Sequence, residues 1–172
     1  MSIIAKKILG LFNKSDKRSK RNIPPVIPFD QATSLGIIYT WEDDNKEAEI
    51  ESFIKLINDE GKSIDVLCYN PNKEAVSIRH PTVSISDLSA LGKLNSEAAQ
   101  RFTSTPFDFL IHLDFELDDI VKSILIQSSA RCRVGHHSAD NSAYYELMIG
   151  IDKSSGLSNF TAQIVKYIKA IK

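Results

Sequence analysis

The chain alternates between short apolar runs and longer stretches in which apolar residues recur every three or four positions. The short runs are rich in β-branched and aromatic residues, which is typical of buried strands. They lie at residues 35–41, 64–69, 82–85, 107–113, 131–134 and 145–149. The longer stretches have the spacing of amphipathic helices. They lie at residues 47–58, 95–102, 117–128 and 157–172.

The alternation of predicted strands and helices indicates the fold class. Strand–helix–strand units connect by right-handed crossovers and build a mostly parallel sheet. Strands that are apolar along nearly their whole length suit a sheet covered on both faces. The sequence therefore predicts an α/β, Rossmann-like domain with five to six strands and helices on both faces. We expect the first strand to be central, and a flavodoxin-like strand order would satisfy the same pattern.

Three segments follow one another along the chain, whose 172 residues suit one domain. Residues 1–22 form a basic arm, in which Ile4, Ile8, Leu11 and Phe12 would share one face of an amphipathic helix. Residues 23–28 contain three prolines and predict an extended linker. Residues 29–172 form the single Rossmann-like domain.

Charge separates the arm from the domain. The net charge is only −1, yet residues 1–22 carry seven basic side chains against Asp16, a net charge of +6. The basic residues of the arm are Lys6, Lys7, Lys14, Lys17, Arg18, Lys20 and Arg21. The remaining residues hold 14 basic and 21 acidic side chains, a net charge of −7. A basic arm on an acidic domain predicts contact with an anionic surface.

Several partners would suit this arm. A lysine-rich amphipathic helix lies well on an anionic membrane, and the same charge would bind the phosphates of RNA or a ribosome. The arm would also serve as a solubilising tail or pack on a protein partner. Phe12 is its only aromatic residue, so we expect no sequence-specific binding of RNA or DNA.

The apolar runs and the cysteines indicate the compartment. No apolar run approaches the roughly 20 residues that cross a bilayer, and the start of the chain lacks the pattern of a signal peptide. Cys68 and Cys132 lie inside predicted strands, and we expect both to be reduced, buried thiols. The expected location is the cytoplasm, including the inner face of the membrane.

Polar residues follow three of the predicted strands. Ligands of open parallel sheets bind beyond the carboxyl ends of the strands, so these residues are candidates for one ligand rim. The predicted rim consists of Glu42, Asp43, Asp114, Glu116, His136 and His137.

Most standard chemistries are not supported by the motifs. The first strand–helix turn, residues 41–45, has no glycine, and its carboxylates would repel a phosphate, which argues against a standard nucleotide-binding domain. No serine lies in a Gly-x-Ser-x-Gly turn, and no nucleophile is paired with a base and an orienting residue. We therefore predict no catalytic residue and no cofactor.

The histidines and Asp114 leave alternatives open. His136 and His137 would bind a metal with Asp114 or Asp140, act as acid and base, or form a polar loop with exposed imidazoles. No Cys-x-x-Cys or His-x-x-x-His spacing supports a metal, so no metal site is predicted. Asp114 is either a ligand contact or the cap of the following helix. His112, inside an apolar strand, is expected to be a satisfied interior histidine.

Two families resemble this sequence. The Phe-Asp-Phe-Leu-Ile-His-Leu-Asp strand at 107–114 and the Arg-Val-Gly at 133–135 resemble part of the acceptor-side N-terminal domain of heptosyltransferase-type glycosyltransferases. That resemblance implies a fold relationship. Residues 40–43 do not match the family's Gly-Asp pair, and the chain has no room for its nucleotide-sugar domain.

The whole chain more closely resembles an uncharacterised family of small bacterial proteins with a domain of unknown function. The shared features are the basic start, Pro28-Phe29-Asp30, Phe107-Asp108, Arg133-Val134-Gly135 and the run from Tyr144 to Ile149. This resemblance implies a Rossmann-like fold and no established activity.

Two functions remain as hypotheses. The first is a non-enzymatic binding or scaffold protein that its arm recruits to a membrane surface, to RNA or a ribosome, or to a protein partner. The alternative is a small ligand-binding or glycosyltransferase-related enzyme domain with its site at the carboxyl ends of the strands.

Overall fold

A computed structural model describes residues 24–72, 77–89 and 93–172. The predicted basic helical arm at 1–22, and with it residue 23 of the linker, lies outside the described residues. Within them, no helix has both the length and the apolar character needed to cross a membrane.

Six strands of the described residues form one sheet in which every neighbouring pair is parallel. They are β1 (Ser34–Thr40), β2 (Ser63–Tyr69), β3 (Thr82–Val83), β4 (Phe109–His112), β5 (Cys132–His136) and β6 (Leu147–Ile149). The order across the sheet is β3-β2-β1-β4-β5-β6. This order confirms the predicted Rossmann-like class with β1 in the interior of the sheet, and it differs from the flavodoxin-like order.

In the part of the chain that the structure describes, four helices cover the two faces of the sheet. They are α1 (Asp44–Asn58), α2 (Glu97–Ser104), α3 (Asp119–Gln127) and α4 (Gly156–Ile168). Successive residues of β1 serve different cores, because side chains alternate along a strand. Ile37 packs in the core that contains Phe53 of α1 and Ile164 of α4, whereas Ile38 packs in the core that contains residues of α2 and α3.

Several element boundaries differ from the sequence prediction. Helix α1 begins three residues earlier than predicted, because the Asp43 side chain accepts the backbone N–H of Lys46 and caps it. Asp118, predicted in the first turn of the helix at 117–128, is the cap of α3. Strand β5 continues to His136, two residues beyond the predicted end at Val134. In each case a capping or packing contact decided the boundary.

The Phe107-Asp108 motif ties together the amino ends of two strands. The buried Asp108 carboxylate accepts the backbone N–H of Thr33 at 2.8 Å and that of Ser34 at 3.2 Å. Its other oxygen lies 3.3 Å from Nε of Arg131. These contacts fix the start of β1 against β4, at the edge of the sheet opposite to the strands' carboxyl ends.

Candidate functional site

A cleft of about 760 Å³ opens at the carboxyl ends of β1 and β4. Its walls are the turn after β1, the start of α1, the loop at 113–118 after β4, and Lys153 and Leu157 near the start of α4. The chain runs from β1 to β2 on one side and from β4 to β5 on the other, so the strand order reverses between β1 and β4. Ligands of open α/β sheets bind in the crevice at such a point.

Asp114 lies at the base of this cleft and is only 6% exposed. Its Oδ2 accepts the backbone N–H of Thr40 at 2.8 Å, and its Oδ1 binds the ammonium of Lys46. Nε2 of His112 is 2.8 Å from Oδ2 but meets it obliquely, outside the angles of a regular hydrogen bond. Of the two predicted roles, that of helix cap is wrong, because Asp118 caps α3.

Neighbouring charged side chains determine the ionisation of Asp114 and Lys46. Burial alone would raise the pKa of Asp114, but His112 and Lys46 outweigh it and hold that pKa below its usual value. Burial likewise acts to lower the pKa of Lys46, and Asp114 and Glu42 raise it above its usual value. The base of the cleft therefore holds a carboxylate and an ammonium as a desolvated ion pair.

Carboxylates cap two of the helices that begin at the cleft, α1 and α3. Asp43 accepts the N–H of Lys46 at 2.8 Å at the start of α1, and Asp118 accepts the N–H of Ile120 at 2.8 Å at the start of α3. Burial raises the pKa of Asp118. Nucleotide-binding domains use free N–H groups at such helix starts to bind phosphate. At α1 and α3 each capping carboxylate takes one of these donors and adds negative charge.

The lining of the cleft is acidic with one apolar wall. It contains six carboxylates and two ammonium groups. The carboxylates are Glu42, Asp43, Glu49, Asp114, Glu116 and Asp118. Both lysines already have carboxylate partners, since Lys46 binds Glu42 and Asp114 while Lys153 binds Glu116. Phe115, Leu117 and Leu157 provide apolar surface beside them.

The structure brings together four of the six residues of the predicted rim. Glu42, Asp43, Asp114 and Glu116 line the cleft, whereas His136 and His137 do not.

The two histidines do not form the predicted polar loop. His136 belongs to β5, its ring packs against Phe115 and Phe160, and its Nε2 is 2.8 Å from the carbonyl oxygen of Ile151. His137 is exposed and follows the strand. In the described part of the chain, no three histidine, cysteine or acidic side chains are grouped so that they could hold a metal ion.

Sequence reasoning missed Lys46, Asn45, Asp118 and Lys153. Lys46 was hidden by the misplaced start of α1, and the Asp43-x-x-Lys46 spacing of a capped first turn is the signal that would have placed it at the site. The sequence pattern places Asp118 in the first turn of the helix at 117–128, whereas it is the cap of α3. Nothing in the sequence indicates that Lys153, which is far along the chain, reaches Glu116.

Fold and site together define a Rossmann-like α/β domain with an acidic cleft at the reversal of strand order. The model of a family of unknown function, DUF6913, matches residues 2–171, and the chain belongs to this family. No curated protein and no solved structure matches the chain. The resemblance to heptosyltransferase-type enzymes therefore receives no support from these comparisons.

Proposed function

We propose that this protein is a non-enzymatic binding protein whose cleft takes a small organic cation. The observation that carries the proposal is the buried, ionised Asp114 at the base of an acidic cleft, at the point where the strand order reverses. In so desolvated a position, a charge interacts more strongly with a ligand than it would at the surface.

The charge of the lining favours a cation over a phosphate ligand. Six carboxylates face two lysines, so the lining keeps a net negative charge although Lys46 pairs with Asp114 and Lys153 with Glu116. At the starts of α1 and α3, which Asp43 and Asp118 cap, a phosphate would meet negative charge where other Rossmann-like domains offer free N–H groups.

The apolar wall favours an organic cation. Phe115, Leu117 and Leu157 would contact a carbon chain while the carboxylates bind ammonium or guanidinium groups. Lys46 itself places an ammonium between Glu42 and Asp114, so this chemistry is compatible with these oxygens.

Binding is favoured over catalysis by the side chains that reach the cleft. Its described lining contains no cysteine, serine or histidine, and the only hydroxyl is that of Thr40. The buried carboxylate beside Thr40, that of Asp114, is hydrogen-bonded to the Thr40 backbone N–H.

The test is a binding assay with the full chain at low ionic strength. Spermidine and arginine serve as cationic ligands, and ATP and inorganic phosphate serve as anionic ligands. We expect the cations to raise the melting temperature and ATP and phosphate to leave it unchanged. A rise with ATP and none with either cation would reject the proposal.

Matched variants localise the effect. Glu116→Gln removes one charge from the cleft at a side chain that is 84% exposed, so the fold should tolerate it. We expect weaker spermidine binding, with a smaller effect at high salt. Asp140→Asn removes one exposed charge from a residue outside the cleft lining and should leave binding unchanged.

A second function is favoured by the separation of charge along the chain. The +6 arm at residues 1–22 precedes a segment of net charge −7. We propose that the arm recruits the domain to an anionic surface (the inner face of a membrane, RNA or a ribosome) or to a protein partner.

Cell fractionation tests this recruitment. The full chain is compared with a chain lacking residues 1–22 and with a full-length chain in which the seven basic residues of the arm are glutamines. We expect only the unmodified chain to sediment, and salt to release it. Equal solubility of all three chains would exclude recruitment through the arm's charge.

A further inference from the structure

A buried chain of polar contacts leads from Tyr145 to the base of the cleft. The Tyr145 hydroxyl is 2.8 Å from Nδ1 of His112, and Nε2 of the same ring is 2.8 Å from Oδ2 of Asp114. The Tyr145 and His112 rings lie nearly parallel, with an interplanar angle of 11°. All three residues are at least nine-tenths buried. This series of contacts starts at Tyr145, beside β6, and reaches the cleft two strands away.

The ionisation of Asp114 requires a proton on the near side of the His112 ring. An ionised carboxylate only accepts hydrogen bonds, so the ring nitrogen 2.8 Å from it, Nε2, carries a proton. Nδ1, on the other side of the ring, is 2.8 Å from the Tyr145 hydroxyl. The hydroxyl thus holds the ring in the orientation in which His112 presents N–H to the carboxylate.

A glycine in β5 makes room for the ring of Tyr145. A Cβ atom at Gly135 of β5 would lie 2.3 Å from Cε1 and 2.4 Å from Cζ of the Tyr145 ring. Only a glycine at position 135 leaves room for the ring, which therefore packs directly on the backbone of β5. An apolar pair would fill the same volume without the cost of burying polar groups, so packing alone does not account for Tyr145 and His112.

We propose that Tyr145 and His112 are positioning residues of the cleft, which hold the Asp114 carboxylate turned toward Lys46 and toward an incoming cation. Tyr145 acts through His112, and neither residue is among those lining the cleft. The consequence for affinity rests on the proposed function, whereas the effect on Asp114 does not.

The first measurement uses the unmodified full chain. Long-range ¹H–¹⁵N NMR correlations of the imidazole distinguish a ring protonated at Nε2 from one protonated at Nδ1. We expect Nε2 of His112 to carry a proton. A ring protonated at Nδ1 alone, with Nε2 bare, would overturn the proposal.

The second measurement compares two variants that each lose one hydroxyl. In Tyr145→Phe the His112 ring loses the contact that orients its Nε2 toward the carboxylate, so the ¹³C titration midpoint of Asp114 should move to higher pH. Tyr144→Phe is the control and should leave the midpoint unchanged. An unchanged midpoint in Tyr145→Phe would also overturn the proposal, and the tautomer decides the matter if that variant does not fold.

Spermidine affinity then links positioning to binding. We expect Tyr145→Phe to weaken it about three- to tenfold, the effect of one net hydrogen bond. If the unmodified chain binds neither spermidine nor arginine, the proposed function fails, while the tautomer and the Asp114 midpoint still decide the role of Tyr145 and His112.

Discussion

The ring of Tyr145 occupies the space that a side chain on Gly135 would need, with only 2.3 Å between its Cε1 and a Cβ placed on the glycine. Gly135 belongs to the Arg-Val-Gly segment, and Tyr145 belongs to the Tyr-Tyr-x-Leu-Met-Ile segment. The two segments are therefore complementary parts of one packing contact. Through His112 this contact extends to Asp114 at the base of the cleft.

Replacing Gly135 with alanine should displace the Tyr145 ring. We expect a loss of about 1–3 kcal/mol in the free energy of unfolding, measured by urea denaturation, because a packed core cannot absorb the added methyl group. The control is Gly150→Ala, where the nearest atom is 4.0 Å from the added Cβ. If both variants are equally stable, the contact between Gly135 and Tyr145 is not as tight as the structure has it.

The pH dependence of stability should reflect the Asp114 carboxylate. Its pKa is lowered in the folded state, so its contribution is complete above the pKa of the unfolded chain and is lost as the pH falls through the folded value. At neutral pH, Asp114→Asn should cost about 3 kcal/mol, because Lys46 keeps its charge in a buried position.

Denaturation curves at a series of pH values check this expectation. The stabilities of the unmodified chain and Asp114→Asn should converge as the pH falls below about 4, where the unfolded carboxyl is protonated. Asp140→Asn, which alters an exposed residue outside the cleft lining, should follow the unmodified chain throughout. A constant difference between the curves at every pH would show that Asp114 does not ionise as described.

Asp108 should matter for stability and not for ligand binding. Asp108→Asn weakens the acceptor for the backbone N–H groups of Thr33 and Ser34, and we expect it to cost about 1–3 kcal/mol. The residue lies at the amino end of β4, away from the cleft, so spermidine affinity of the folded variant should be unchanged. Loss of binding without loss of stability would assign Asp108 to the site instead.

The two cysteines should resist alkylation in the native protein. Cys68 and Cys132 are free and buried, and burial raises the pKa of each thiol to about 12. Under mildly alkaline conditions iodoacetamide should modify them only after unfolding, because the thiolate is the reactive form. Intact-mass spectrometry before and after denaturation measures this, and rapid modification of the folded chain would contradict the burial.

The fold could be predicted from the sequence because its strands are apolar on both faces. Residues of β1 serve the two cores alternately, so the strand appears in the sequence as one continuous apolar run. The order of the strands could not be derived in the same way. The hydrophobic pattern shows which residues are buried, whereas the order of the strands in a doubly wound sheet depends on contacts between elements that are distant in the sequence.

The site could be predicted only in part. The rule that ligands bind at the carboxyl ends of strands placed Asp114 and Glu42 correctly at one cleft. It misplaced His136, because glycine in a sequence suggests a strand end while Gly135 is needed inside β5 to accommodate Tyr145. Lys46 was missed because the sequence pattern starts α1 three residues too late, and because its ion pair with Asp114 joins residues 68 positions apart.

Titration of the ¹⁵N-labelled full chain with spermidine tests the central claim most directly, because backbone amide shifts show where a ligand binds. We predict the largest changes at Thr40, whose N–H binds Asp114, and at Asp114 and Phe115, with little change at residues 33–34 at the opposite edge of the sheet. ATP at the same concentration should leave these amides unperturbed. Shifts that are absent with spermidine, or that are confined to other parts of the chain, would contradict the assignment of this cleft as a site for organic cations.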